Sequence, residues 1–417
     1  MVRLNKVFVA GGFPSITYIS RNEYQLESKI KDYLEEEGKL LSIFGATKSG
    51  KTVLVHKIVP EESCFMVEGG HVTDLDSFWQ IVLEQTGGYT SLSETTSKNK
   101  SSTSGRESKA SAKLAGIGGE ITSQLSENDE YGTNQTLSRI VPSTSSAIKQ
   151  LLHHMLPLVV DDFHYIDQSV QKLIIRSLKS PIFKGLPVIL IAIPHRAYDV
   201  IRGEKEMTGR VKELEIPAWQ TSELEKIAEL GFRELKVSCS PETIKKMAEE
   251  SFDSPHLMQD FCLALCKLNG ISETQSSVIQ LQEPEDWQSF FRNIDSNTSK
   301  LAFESLARGP RSSNRRIPRT LVNGETCDIY GAVLFAIAYT GPKTTLSYED
   351  IRKGLQKVLR SETPDYHEIT RVLRAMSEIA KKIGGEPVVD WDNYSLHISD
   401  PFFAYYLRWG IAVPEEE

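Results

Sequence analysis

The 417-residue sequence predicts a three-layer α/β domain with a parallel sheet, followed by a helical lid and a C-terminal three-helix block ending in a hairpin. Three observations predict it. A short apolar strand, Leu40 to Phe44, runs directly into Gly45-Ala46-Thr47-Lys48-Ser49-Gly50-Lys51-Thr52 and a helical pattern. A second apolar run, Leu156 to Val160, ends in Asp161-Asp162. Near the C-terminus, three helical patterns precede two short alternating segments.

Taken in order, Ser20 offers a helix cap with Glu23 three residues on, and Leu26, Ile30, Tyr33 and Leu34 recur at helical spacing. Cys64 to Val67 reads as a second strand. From Thr90 to Ser111, 12 of 22 residues are Ser or Thr, so the stretch has too little apolar area to offset its ordering entropy. Residues 88–146 are therefore expected to be a flexible insertion. Helix resumes over Ala147 to Met155, and Leu156 to Val160 has the continuous apolar character of a strand buried on both faces. Val170 to Leu178 is helical, Leu186 to Ile193 is another buried strand, and Val211 to Ile216 alternates as an edge strand does.

The first domain spans 1–216. Residues 217–280 form the lid, with helix starts at Thr221, Ser240-Pro241 and Ser254-Pro255. Residues 281–325 read as a polar, irregular, basic linker. The block 326–417 holds helices from Asp328 to Tyr339, from Ser347 onward, and along the stripe Ile369, Val372, Leu373, Met376 and Ala380. A hairpin follows, with its turn at Asp392-Asn393. The aromatics Tyr405, Tyr406 and Trp409 of the last helix read as core or interface.

Composition sets limits. Lys and Arg total 48 against 56 Asp and Glu, a net charge of −8, which excludes a strongly basic nucleic-acid coat but not a local patch. Such a patch exists: Arg308, Arg311, Arg315, Arg316 and Arg319 fall in one run with no acid, and Arg371 and Arg374 lie on the outer face of the third helix. Both are candidate nucleic-acid contacts. The five cysteines show no metal or disulfide spacing. No apolar run reaches the ~18–20 residues a membrane span needs, so no membrane contact and a cytoplasmic location are expected.

The loop 45–52 fits a phosphate cradle. Glycines let successive backbone N–H groups turn inward around an anion. Lys51 supplies positive charge to the outer phosphates of ATP, and Thr52 a hydroxyl for Mg²⁺. Val53 continues the site into the next turn. Asp161, at the carboxyl end of its strand, is a second Mg²⁺ ligand, and Asp162 orients or deprotonates the attacking water.

These motifs resemble the AAA+ and STAND-type P-loop ATPases, including origin-recognition-like ATPases with a C-terminal winged-helix domain. Tyr18-Ile19-Ser20-Arg21-Asn22-Glu23 is similar to the opening motif of STAND proteins, with Ser20 where that motif has Gly. The resemblance implies a P-loop NTPase fold and a nucleotide contact from Arg21. It implies a γ-phosphate sensor at Arg196, with His195 as the second candidate. It implies a trans-acting arginine finger at Arg210, hence a homo-oligomer formed on ATP binding, and lid contacts from Pro255 and His256. The second acid, Asp162, is one methylene shorter than the Glu of many relatives, which suits a slow switch. The resemblance further implies the regulatory ATPase of a bacterial defence system with a separate effector protein. A DNA-loading ATPase and an adaptor that binds ATP without turnover are the alternatives.

Overall fold

The computed structural model describes residues 1–88, 91–98, 121–127, 133–140, 142–193, 207, 209–294, 297–310, 316–341, 343–383 and 387–414. The chain divides into two compact units, one from residues 33–42 and 59–212, the other from residues 1–32, 43–58 and 213–417.

Helix α1 (Leu26–Leu34) precedes β1 (Leu40–Gly45), α2 (Lys51–Ile58), β2 (Phe65–Glu68) and α3 (Leu75–Gln85). After β3 (Ser91–Lys98), β4 (Ile121–Glu127) and β5 (Thr133–Ile140) come α4 (Ser143–His154), β6 (Leu158–Asp161), α5 (Gln168–Phe183), β7 (Val188–Ala192) and β8 (Val211–Ile216). The main sheet has five strands in the order β2-β6-β7-β1-β8. β6 pairs in parallel with β2 on one side and β7 on the other, with Val160 opposite Val67 and Leu190.

In the first unit every residue of β6 and β7 is buried, as their unbroken apolar runs require. Phe78, Trp79, Val82, Leu151, Ile174 and Leu178 from α3, α4 and α5 close over them. Tyr33 ties the end of α1 to the sheet: its hydroxyl donates to the Val188 carbonyl at 2.7 Å and accepts the Val188 N–H at 2.8 Å. The segment expected to be a flexible insertion departs from that reading. Its described residues form an antiparallel sheet in the order β3-β5-β4, with Ser91 opposite Ile140 and Ile121 opposite Arg139. The Ser/Thr composition that argued for coil is also rich in β-branched threonine, which suits extended backbone.

The second unit continues with α6 (Thr221–Leu235), α7 (Pro241–Glu249) and α8 (Pro255–Leu268), then α9 (Trp287–Arg292) and α10 (Asn297–Arg308). Ser240 and Ser254 cap α7 and α8, and a proline occupies the first turn of each. Residues 281–325 are not an irregular linker throughout. Phe291 of α9 is buried in the lid core, and Ala302 and Leu306 of α10, four residues apart on one helix face, are buried in the C-terminal core.

The C-terminal block contains α11 (Ile329–Tyr339), β9 (Thr345–Ser347), α12 (Tyr348–Val358), α13 (Tyr366–Lys382), β10 (Val389–Asp392) and β11 (Ser395–Ile398). Its antiparallel sheet runs β9-β11-β10, a winged-helix arrangement. The wing turn sits one residue later than expected. Asn393 and Tyr394 both take left-handed backbone, φ 47° and 60°, as a two-residue hairpin turn demands. Helix α14 (Pro401–Tyr405) places Phe403 in the winged-helix core and Tyr405 in the lid core, so lid and winged helix share one packed seam.

Candidate nucleotide site

The phosphate loop leaves β1 at Gly45, where a Cβ would lie 2.8 Å from the Ile216 carbonyl oxygen; only glycine lets the loop pass β8 this closely. Lys48 and Gly50 then take left-handed backbone, φ 59° and 88°, which curls the chain into a concave run of peptides. Lys51 is 8% exposed, and its ammonium donates to the carbonyls of Gly45 at 3.0 Å and Ala46 at 2.8 Å. The hydroxyl oxygens of Thr47 and Ser49 are buried with no hydrogen-bond partner among the described residues. A buried hydroxyl without a bond is costly unless a ligand supplies one. These two hydroxyls and the curled loop fit an anion of phosphate size. Thr52 and Val53 lie half-buried in the first turn of α2.

In the other unit, Asp161 is the last residue of β6 and is 8% exposed. Its Oδ1 accepts the Asp162 N–H at 2.8 Å. Asp162 is exposed and left-handed, φ 50°, which turns the chain sharply off the strand end. A Cβ on Gly69 would collide with the Asp162 carbonyl oxygen, so the chain just after β2 packs directly on this turn. The two acids therefore differ, one buried and the other exposed.

No family profile matches the chain, and no curated protein matches it in sequence. Solved structures do. A Walker-type ATPase of Pyrococcus abyssi superposes with TM-score 0.52 at 13% identity, covering 92% of this chain and 95% of its own. The Aeropyrum pernix ORC2 protein, solved with ADPNP and ADP, superposes with TM-score 0.51 at 14% identity, covering 98% and 96%. The fold is that of the origin-recognition-like P-loop ATPases.

In this P-loop ATPase fold the lid brings its own residues toward Lys48. Phe252 and Asp253 are left-handed, φ 48° and 57°, as glycines would be, and Pro255 opens α8. His256 lies with Nε2 3.5 Å from Asp260 and packs edge-on to Phe402 at 4.9 Å between ring centroids. Lys48 is 6.0 Å from the same Phe402 ring. Burial and the Lys48 cation lower the His256 pKa to about 4, while burial raises Asp260 to about 6. Near neutral pH the contact is thus a neutral imidazole against a carboxylate. The sign follows: the stability contributed by neutral His256 is full above its ordinary pKa of about 6.5 and is lost as pH falls through about 4. An NMR titration of the His256 ring is expected to show a midpoint near 4; a midpoint near 6.5 contradicts this burial.

Arg21, which the resemblance places at the nucleotide, is 5% exposed, and its guanidinium is engaged within the chain. Nε and Nη2 bond the Glu223 carboxylate at 2.8 and 3.0 Å, and Nη1 and Nη2 donate to the carbonyls of Pro217 and Ala218 at 2.8 Å each. Four of its five N–H groups are used, because the fork matches a buried carboxylate next to a bend of exposed carbonyls.

Two arginines of the basic run also have partners within the chain. Arg316 bonds Asp328 and the carbonyls of Arg308 and Pro310, with its guanidinium 4.6 Å from the Tyr330 ring. Arg319 donates from Nη2 to both carboxylate oxygens of Glu368, at 2.8 and 2.7 Å. Arg308, Arg371 and Arg374 are exposed. Arg210 lies half-buried at the start of β8, with its guanidinium 5.1 Å from the exposed Phe183 ring. His195, Arg196, Arg311 and Arg315 lie outside the described residues.

Sequence reasoning missed Trp219 and Glu223, which frame Arg21, and Asp400 and Phe402, which approach Lys48. Glu223 had a legible signal as the third helical residue of a capping box with Gln220. The others had none, since an isolated aromatic or acid carries no periodicity.

Proposed function

We propose that the chain binds ATP on the loop 45–52 and hydrolyses it slowly, as a nucleotide-dependent switch that associates into a homo-oligomer. The observation that carries this reading is the curled loop with its buried Lys51 and its two buried hydroxyls, which have no hydrogen-bond partner among the described residues. In this reading Lys51 neutralises the outer phosphates and Asp162 orients the attacking water. Thr52 and Asp161 would hold Mg²⁺, which spreads the charge developing on the transferred phosphoryl group. Arg210 reaches the nucleotide of a neighbouring copy. The contacts of Lys48 with Phe402, and its field at His256 and Asp400, support the switch, because they bring lid and winged helix up to the phosphate loop. A separate effector protein remains the expected output partner.

The test is a turnover assay on Asp162→Asn with a parallel binding measurement. The variant is expected to keep ATP affinity and lose turnover by ~100-fold or more. Turnover at the wild-type rate would remove Asp162 from the mechanism. Wild type with no turnover above background would favour an adaptor that only binds ATP.

A second reading has its own observation. The outer face of α12 carries exposed Arg352, Lys353 and Lys357, followed by exposed Arg360. Together with exposed Arg371 and Arg374 of α13, these cations would contact duplex DNA in this reading. In the same assay, DNA-stimulated turnover that fades with salt would favour it.

A further inference from the structure

The phosphate loop is held from behind by a side chain that has no part in the reading above. Trp219 follows β8 and precedes α6. It is 8% exposed, and its indole N–H donates to the Ser49 carbonyl at 2.8 Å. The two groups of one trans peptide point in opposite directions, so holding the Ser49 carbonyl also fixes the direction of the Gly50 N–H. That matters here because Gly50, at φ 88°, is the residue least able to resist a peptide flip. A flipped peptide would turn a carbonyl oxygen toward the bound phosphates and take an N–H away from them.

Trp219 is itself packed against a cation. The Arg21 guanidinium lies 4.8 Å from its ring and 4.7 Å from the Tyr24 ring. Arg21 is locked by Glu223, and the Glu223 carboxylate also accepts the Gln220 N–H at 2.8 Å at the first turn of α6. The chain of contacts is therefore Ser49, Trp219, Arg21, Glu223, and every member is buried.

We propose that Trp219 is a positioning residue for phosphate recognition: it sets the 49–50 peptide so that the Gly50 N–H faces the anion, and it ties that setting to the lid helix α6. The proposal rests on the nucleotide reading of the loop. It explains why a fully formed arginine–carboxylate fork sits where a ligand contact was expected. It also gives bound phosphate a route to bias the lid.

The test is binding of Mg²⁺-ATP and of adenosine to wild type and Trp219→Phe, which keeps an aromatic ring and removes the N–H. The variant is expected to bind ATP about tenfold more weakly and adenosine unchanged, since adenosine has no phosphate to meet Gly50. A general packing defect would weaken both. As a measurement independent of the variant's folding, ¹⁵N-tryptophan labelling of wild type should show the Trp219 indole resonance shifting on addition of ATP and not of adenosine. ATP affinity equal to wild type in the variant, or an indole resonance that ignores ATP, would overturn the proposal while leaving the nucleotide site standing. Wild type that binds no ATP would overturn both.

Discussion

Lys51→Ala is expected to lower ATP turnover by at least about a hundredfold, the scale on which removing one preorganised charge contact to a developing oxyanion is felt. The residue is well placed for this. Its ammonium is buried at the base of the loop and rests on the Gly45 and Ala46 carbonyls. Moving from two carbonyls to a phosphate trades neutral acceptors for a charged one, which strengthens the bond. Alanine also leaves those two carbonyls facing the anion with no intervening cation. Steady-state turnover at saturating Mg²⁺-ATP checks the loss, and a variant within threefold of wild type would remove Lys51 from the chemistry.

The second large effect is structural. Glu223→Ala leaves the Arg21 guanidinium 5% exposed without its carboxylate. Breaking a buried ion pair on one side costs about 3–5 kcal/mol, because the remaining charge stays desolvated. The same change removes the acceptor of the Gln220 N–H at the start of α6. Urea unfolding followed by far-UV circular dichroism should show the loss, and the double variant Arg21→Met, Glu223→Ala should recover most of it. A single variant within 1 kcal/mol of wild type would mean that the pair is solvated in solution.

The parts of this molecule legible in its sequence are those built on strict local rules. The phosphate loop combines glycine at left-handed backbone with lysine at a helix start, and no other common element needs that spacing. Strands β6 and β7 declared themselves by unbroken apolar runs, and α13 by its stripe of Ile369, Val372, Leu373 and Met376. What was hidden depends on pairing across long stretches of chain. Arg21 and Glu223 are 202 residues apart, and nothing local distinguishes a buried arginine fork from a ligand-binding one. Arg316 and Arg319 looked like a free basic run because their partners, Asp328 and Glu368, belong to the next domain's helices. The Ser/Thr-rich strands β3, β4 and β5 escaped because they lack an apolar alternation to mark them.

The central claim, that loop 45–52 is a nucleotide-binding site, is tested most directly by titration calorimetry of the full chain with Mg²⁺-ATP. Saturable binding of one ATP per chain is expected for wild type, with at least a tenfold loss in Lys51→Ala. No saturable binding by wild type, or equal affinity in the two proteins, would contradict it.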